Sequence, residues 1–199
     1  MGSAAGTRLA KAPLPVLCVD LDGTLIRGDL AWECILSCLK TSPLTLFLLP
    51  LWLLKGRAEA KRQLAFRFPV DPSRLAYNEE LIKLLQEERA AGRKIVLATA
   101  ADVRLAESVA QYVGVFDAVY GSRDGLNLKG AAKADLLSKE FAESGYEYAG
   151  DSKADLEVWK KARAAYVVGT SRAAERAATV TTVKATFVRP SASFITWVT

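Results

Sequence analysis

The chain has 199 residues, enough for one domain of moderate size or a domain carrying a modest insert. With 51% hydrophobic and 25% charged residues it can build a full core, which excludes disordered, collagen-like and coiled-coil architectures. A net charge of +5 suits anionic substrates or anionic lipid, and the absence of histidine excludes Ser-His-Asp, Cys-His and His-ligated metal chemistry.

Residues 1–15 are rich in Ala, Gly and Lys and contain no apolar stretch before a cleavage site, so they read as a flexible N-terminus rather than a signal peptide. Val16 to Val19 (VLCV) is a short β-rich run that ends in Asp20. The next stretch, residues 28–77, is mostly helical in pattern and far longer than an α/β crossover needs, which predicts an inserted cap. Cys34 and Cys38 lie one helical turn apart and read as two small apolar residues on one helix face. With Cys18 they make an odd, unpaired set, which argues for a reducing, cytoplasmic compartment. The apolar run Leu44 to Leu54 is eleven residues long, whereas a spanning helix needs about 20. It is therefore expected to be a buried or membrane-surface helix. Lys55, Arg57, Lys61, Arg62 and Arg67 follow it at once. Together with Trp32, Trp52 and Leu53, this combination fits a peripheral element at the cytoplasmic face of a membrane, or a cap whose helices bury these residues against each other. Nucleic acid is not an expected partner, because no aromatic-rich strands accompany the basic residues.

Beyond the insert, strand and helix patterns alternate. Asn78 to Ala91 places Leu81, Leu84 and Leu85 on one face and stops at Gly92. Asp102 to Val113 and Gly130 to Ser144 are also helical in pattern. Ile95 to Ala98, Tyr146 to Ala149 and Ala165 to Val168 are continuous apolar runs closed by a polar or glycine residue, as strands buried on both faces should be. The alternation predicts an α/β fold with a doubly wound parallel sheet, its core formed by residues 16–27 and 78–185. Residues 186–199 are expected to form a tail or a linker to a membrane domain.

The chemistry concentrates where the predicted strands end. Asp20 and Asp22, in VDLDGTL, are two apart and project to one side, with Gly23 letting the backbone turn away. Two carboxylates so close remain useful only with a cation or a shared proton. A second acidic pair, Asp151 and Asp155 in GDSKAD, directly follows another strand, and together the two pairs offer enough oxygen ligands for Mg²⁺. At the end of a third strand, the Thr99 hydroxyl and the amides from Ala100 onward can hold an anion. Lys129 opens a helix and supplies positive charge; Lys133 lies one turn later on the same face, and Lys129 is preferred because it sits at the helix start.

These four segments, in this order, resemble the motifs of the haloacid dehalogenase (HAD) superfamily of phosphohydrolases. The resemblance implies a Rossmann-like core with Mg²⁺ and a C1-type helical cap between the first and second motifs. It implies that Asp20 is the nucleophile that becomes an aspartyl-phosphate, and that Asp22 is the general acid and base. Thr99, Ala100 and Lys129 would hold the phosphoryl group. Asp20, the Asp22 backbone carbonyl and Asp151 would bind the metal, with Asp155 as ligand or support. The segments LLPLWLLKGR, ATAAD, NLKGAAK and YAGDSKADLEVW are further similar to the HAD domain that precedes UbiA-type polyprenyltransferases in bacterial fusion proteins. That similarity implies a lipid-linked phosphomonoester, such as a polyprenyl-phosphoryl pentose 5-phosphate, and a fused or adjacent prenyltransferase as partner. A phosphomutase or phosphotransferase, and a non-catalytic docking domain, are the other activities this fold would accommodate.

Overall fold

The computed structural model describes residues 14–123 and 126–188. Six strands form one sheet: β1 (Val16–Val19), β2 (Ile95–Asp102), β3 (Ala118–Ser122), β4 (Tyr146–Gly150), β5 (Ala164–Gly169) and β6 (Thr182–Val188). Every pairing is parallel and the order is β3-β2-β1-β4-β5-β6. The chain starts in the middle and winds outward in both directions, so the order reverses beside β1. A crevice opens there at the carboxyl ends of the strands, the usual ligand position in open α/β sheets. β1, β4 and β5 are buried along their whole length, and β2 nearly so, which is why their sequences are continuously apolar.

Helices cover both faces of the sheet. The core helices are α4 (Glu79–Ala90), α5 (Val103–Val113), α6 (Ala131–Glu140), the single turn α7 (Leu156–Trp159) and α8 (Ser171–Ala178). Several begin on the caps their sequences offer: the Asn78 side chain accepts from Leu81 N–H, and Asp102 accepts from Arg104 N–H. The regular structure of the expected insert is helical, with α1 (Leu30–Thr41), α2 (Leu49–Leu54) and α3 (Arg57–Arg67), and 3₁₀ turns at Pro43–Leu48 and Pro72–Arg74. Its inner face is continuous with the core, since Leu30, Cys34, Cys38, Trp52, Leu64 and Phe68 join one cluster with Leu21, Leu25 and Leu105. The three cysteines are free and buried.

Two strands were not foreseen, β3 and β6. β6 runs to Val188, past the residue 185 expected as the end of the core. The expected N-terminus and tail otherwise fall largely on residues 1–13 and 189–199, outside the described residues. No helix among the described residues is long and apolar enough to cross a membrane.

Candidate active site

The crevice beside β1 is built from three strand ends. In-register pairing sets Val19 beside Leu97 on one side and Ala149 on the other, and Asp20 N–H donates to the Ala149 carbonyl at 2.9 Å. Asp20 therefore stands where β1 stops, Thr99 rises beside it from β2, and Asp151 follows β4. Gly23, at φ 78°, takes the left-handed conformation that turns the chain away after Asp22. A glycine is also required at Gly150, where a Cβ would sit 2.8 Å from Asp155 Cγ and 2.9 Å from the Tyr148 ring.

Carboxylate oxygens of Asp20, Asp151 and Asp155 lie within 4.8 Å of one another. Asp155 is already committed: Oδ2 accepts from the backbone N–H groups of Asp151 and Ser152 and from the Ser152 hydroxyl, and Oδ1 accepts from Tyr148 Oη at 2.9 Å. It shapes the loop that presents Asp151. The carboxylate oxygens of Asp20 and Asp151 are the donor type that suits a hard divalent cation.

The cation that meets Asp20 is Lys133, which corrects the expectation for Lys129. Lys133 Nζ donates to Asp20 Oδ1 at 2.8 Å and to Tyr148 Oη at 2.7 Å, and the residue is 3% exposed. Lys129 is solvent-exposed, in the loop before Gly130 at the start of α6. The buried ammonium also lies over the Tyr148 ring, 5.3 Å from its centroid. Tyr148 is the functional residue the sequence reading missed. It accepts from Lys133 and donates to Asp155, so one hydroxyl joins the lysine to the loop that carries Asp151. Its available signal was a tyrosine inside a fully buried strand, whose hydroxyl needs a partner.

Asp22 Oδ1 accepts from Leu30 N–H at 2.8 Å, so the first residue of α1 holds this carboxylate in place. Burial pushes the Asp22 carboxyl up to about 6, against the Leu30 hydrogen bond that lowers it. Burial also drives Asp20 upward, opposed by the Lys133 ammonium. The Thr99 hydroxyl is buried and accepts from Ala101 N–H at 3.0 Å, so its own proton can be donated into the crevice. The expected strand end at Thr99 is corrected, since β2 runs on to Asp102, while α5 begins at Val103, within one residue of the expected start. Asp29 and Asp102 cap helices, and Lys153 is solvent-exposed.

A doubly wound parallel sheet, with paired carboxylates and a buried lysine at the carboxyl end of its first strand and an inserted helical cap, defines a capped Rossmann-like α/β class. Residues 17–160 match the haloacid dehalogenase-like hydrolase family (HAD), and the chain belongs to it. It is 42% identical over 157 residues to the uncharacterized protein y4nM of Sinorhizobium fredii, a match covering 78% of this chain but only 30% of that relative. Similar solved structures include a Bordetella pertussis protein of unknown function, with a TM-score of 0.63, 13% identity, and 87% of this chain and 99% of that one covered. A substrate-bound phosphoserine phosphatase gives a TM-score of 0.61 at 12% identity, covering 89% of this chain and 94% of that one. A haloacid dehalogenase-like hydrolase of Streptococcus pneumoniae gives 0.59 at 14% identity, covering 89% and 94%. These likenesses show the fold.

Proposed function

We propose that the chain is a Mg²⁺-dependent phosphomonoester phosphatase that works through an aspartyl-phosphate on Asp20. The observation that carries this reading is the contact of Lys133 with Asp20 beside the carboxylates of Asp151 and Asp155, at the sheet's crevice. Asp20 attacks phosphorus and forms a P–O bond, while the bond to the leaving oxygen breaks and Asp22 gives that oxygen its proton. Asp22 then takes a proton from water, whose oxygen displaces Asp20 from phosphorus and restores the free carboxylate. The Thr99 hydroxyl and the Ala100 amide hydrogen-bond a phosphoryl oxygen. Lys133 offsets the charge that Asp20 and the phosphate bring together, in a buried setting where that offset is largest. Asp20, Asp151 and the Asp22 carbonyl would hold Mg²⁺, which when bound supplies further charge stabilisation at the phosphoryl group.

For the substrate we infer an amphipathic, lipid-linked phosphomonoester. The resemblance to the domain preceding UbiA-type prenyltransferases supports a lipid-linked pentose phosphate made by a fused or neighbouring enzyme. The test is phosphate release from an aryl phosphate, followed by a panel of phosphorylated lipids and sugars. Native protein should need Mg²⁺, and Asp20→Asn should lower the rate by about 10³ or more. No release above background from either protein would leave a non-catalytic docking domain, equal rates above background would remove Asp20 as the nucleophile, and transfer to a second hydroxyl without phosphate release would leave a mutase.

A further inference from the structure

Ten of the thirteen exposed large hydrophobic side chains among the described residues lie between Trp32 and Phe66, so the cap, not the surface at large, carries the apolar patch. Leu44, Phe47, Leu48, Leu51 and Leu54 recur in three- and four-residue steps through the first 3₁₀ turn and α2. Phe47 and Leu54 are 81% and 84% exposed, while Trp52 on the opposite side is buried against Arg67. On α1, Cys34 and Cys38 point inward while Trp32, Leu36 and Leu39 face out. The cap has thus filled its inner face and kept a second apolar face.

Charge follows the same segment. Residues 34–70 hold six basic residues and one carboxylate, Glu59, which Arg62 pairs at 2.7 Å. That surplus equals the +5 of the whole chain, so the remainder is neutral. Between Cys34 and Ala58 there is no acidic residue, and Lys40 and Lys55 flank the apolar stripe at its two ends.

We propose that this outer cap face docks on an anionic lipid bilayer, with Leu44 to Leu54 lying in the interface plane and Phe47 and Leu54 inserted among the acyl chains. The stretch Leu46 to Leu54 (LFLLPLWLL) offers no side-chain hydrogen-bonding group except the indole of Trp52, which is buried. Protein interfaces carry about one hydrogen bond per 100–200 Å², whereas hydrocarbon asks for none. The flanking lysines meet anionic headgroups, and the stripe is too short to span. The cap also ties directly to the site, through Leu30 N–H on Asp22 and the Arg62 carbonyl accepting from Arg104 of α5, so docking brings the crevice to the lipid surface.

The test is flotation of the full chain with vesicles of phosphatidylglycerol and phosphatidylcholine, against phosphatidylcholine alone. The native chain should float with the anionic vesicles and be released by high salt. The double variant Phe47→Ser/Leu54→Ser should keep the native circular dichroism and melting, yet lose partitioning by on the order of a hundredfold. Failure of the native chain to float, or equal flotation of the variant, overturns the proposal. So does a dimer that this double variant dissociates while the native chain ignores vesicles, which would make the face a self-association surface.

Discussion

Positions 129 and 133 are one helical turn apart, so spacing alone lets either lysine reach a site at the mouth of α6. What separates them is where the helix begins. Gly130, at φ 57°, turns the chain into α6, leaving Lys129 outside in solvent and placing Lys133 in the first turn over the sheet. A buried ammonium needs partners, and Asp20 and Tyr148 supply them. Lys133→Met should therefore reduce phosphate release by about a hundredfold or more, and Lys129→Ala should stay within about twofold of native. Steady-state rates on an aryl phosphate decide it; the opposite ranking would return the role to Lys129. The acidic residues were legible because each follows a strand that the sequence marks clearly. The lysine was not, because a glycine's backbone angle, invisible to residue spacing, sets its position.

Among the elements, β1, β2, β4 and β5 announce themselves as continuous apolar runs because helices bury both their faces. The edge strands β3 and β6 do not. β3 (AVYGS) is only half-buried over its first three residues, and β6 (TVKATFV) alternates, with Val183, Ala185 and Phe187 packed inward and Lys184 and Thr186 outside. Such alternation in an Ala/Thr/Val-rich stretch reads as tail unless a neighbouring strand is known. A polar clamp closes the amino end of the sheet, and it too is silent in the sequence. Arg93 donates to Glu147 at 2.7 Å, to Tyr166 Oη at 3.2 Å and to the Pro15 carbonyl at 2.8 Å, and Lys184 of β6 pairs with the same Glu147. Arg93 and Glu147 are both buried, so Arg93→Met leaves a carboxylate partly uncompensated and should cost about 3–5 kcal/mol in urea unfolding. Burial alone would raise the Glu147 carboxyl, but hydrogen bonds from Lys184 and Arg93 hold it below its ordinary value of 4.5. Its contribution is therefore present above pH 4.5 and is lost as pH falls through the lowered folded value. Native stability should decline on acidification in that window, and the decline should be shallower in Arg93→Met; an identical slope would mean the clamp does not set it.

Across the whole molecule, charge is sorted. The basic surplus sits in the cap segment, while Asp20, Asp22, Asp151 and Asp155, drawn from distant parts of the chain, converge on one crevice with Lys133 as the cation in contact with Asp20. Folding must bring these like charges together, and the unfolded chain keeps them apart. A divalent cation bound by the native cluster alone raises stability by RT ln(1 + [L]/Kd), about 2.7 kcal/mol at a hundredfold excess over Kd. For a chain of this size each kcal/mol moves the melting midpoint by about 2–4 °C, so saturating Mg²⁺ should raise it by roughly 5–10 °C. Asp151→Asn keeps the side chain's shape but removes an anionic ligand, so its midpoint should barely respond to Mg²⁺. Without metal it should melt no lower than native, since one repulsive charge has gone. A native-sized Mg²⁺ shift in Asp151→Asn would show that the cation binds elsewhere than at the crevice.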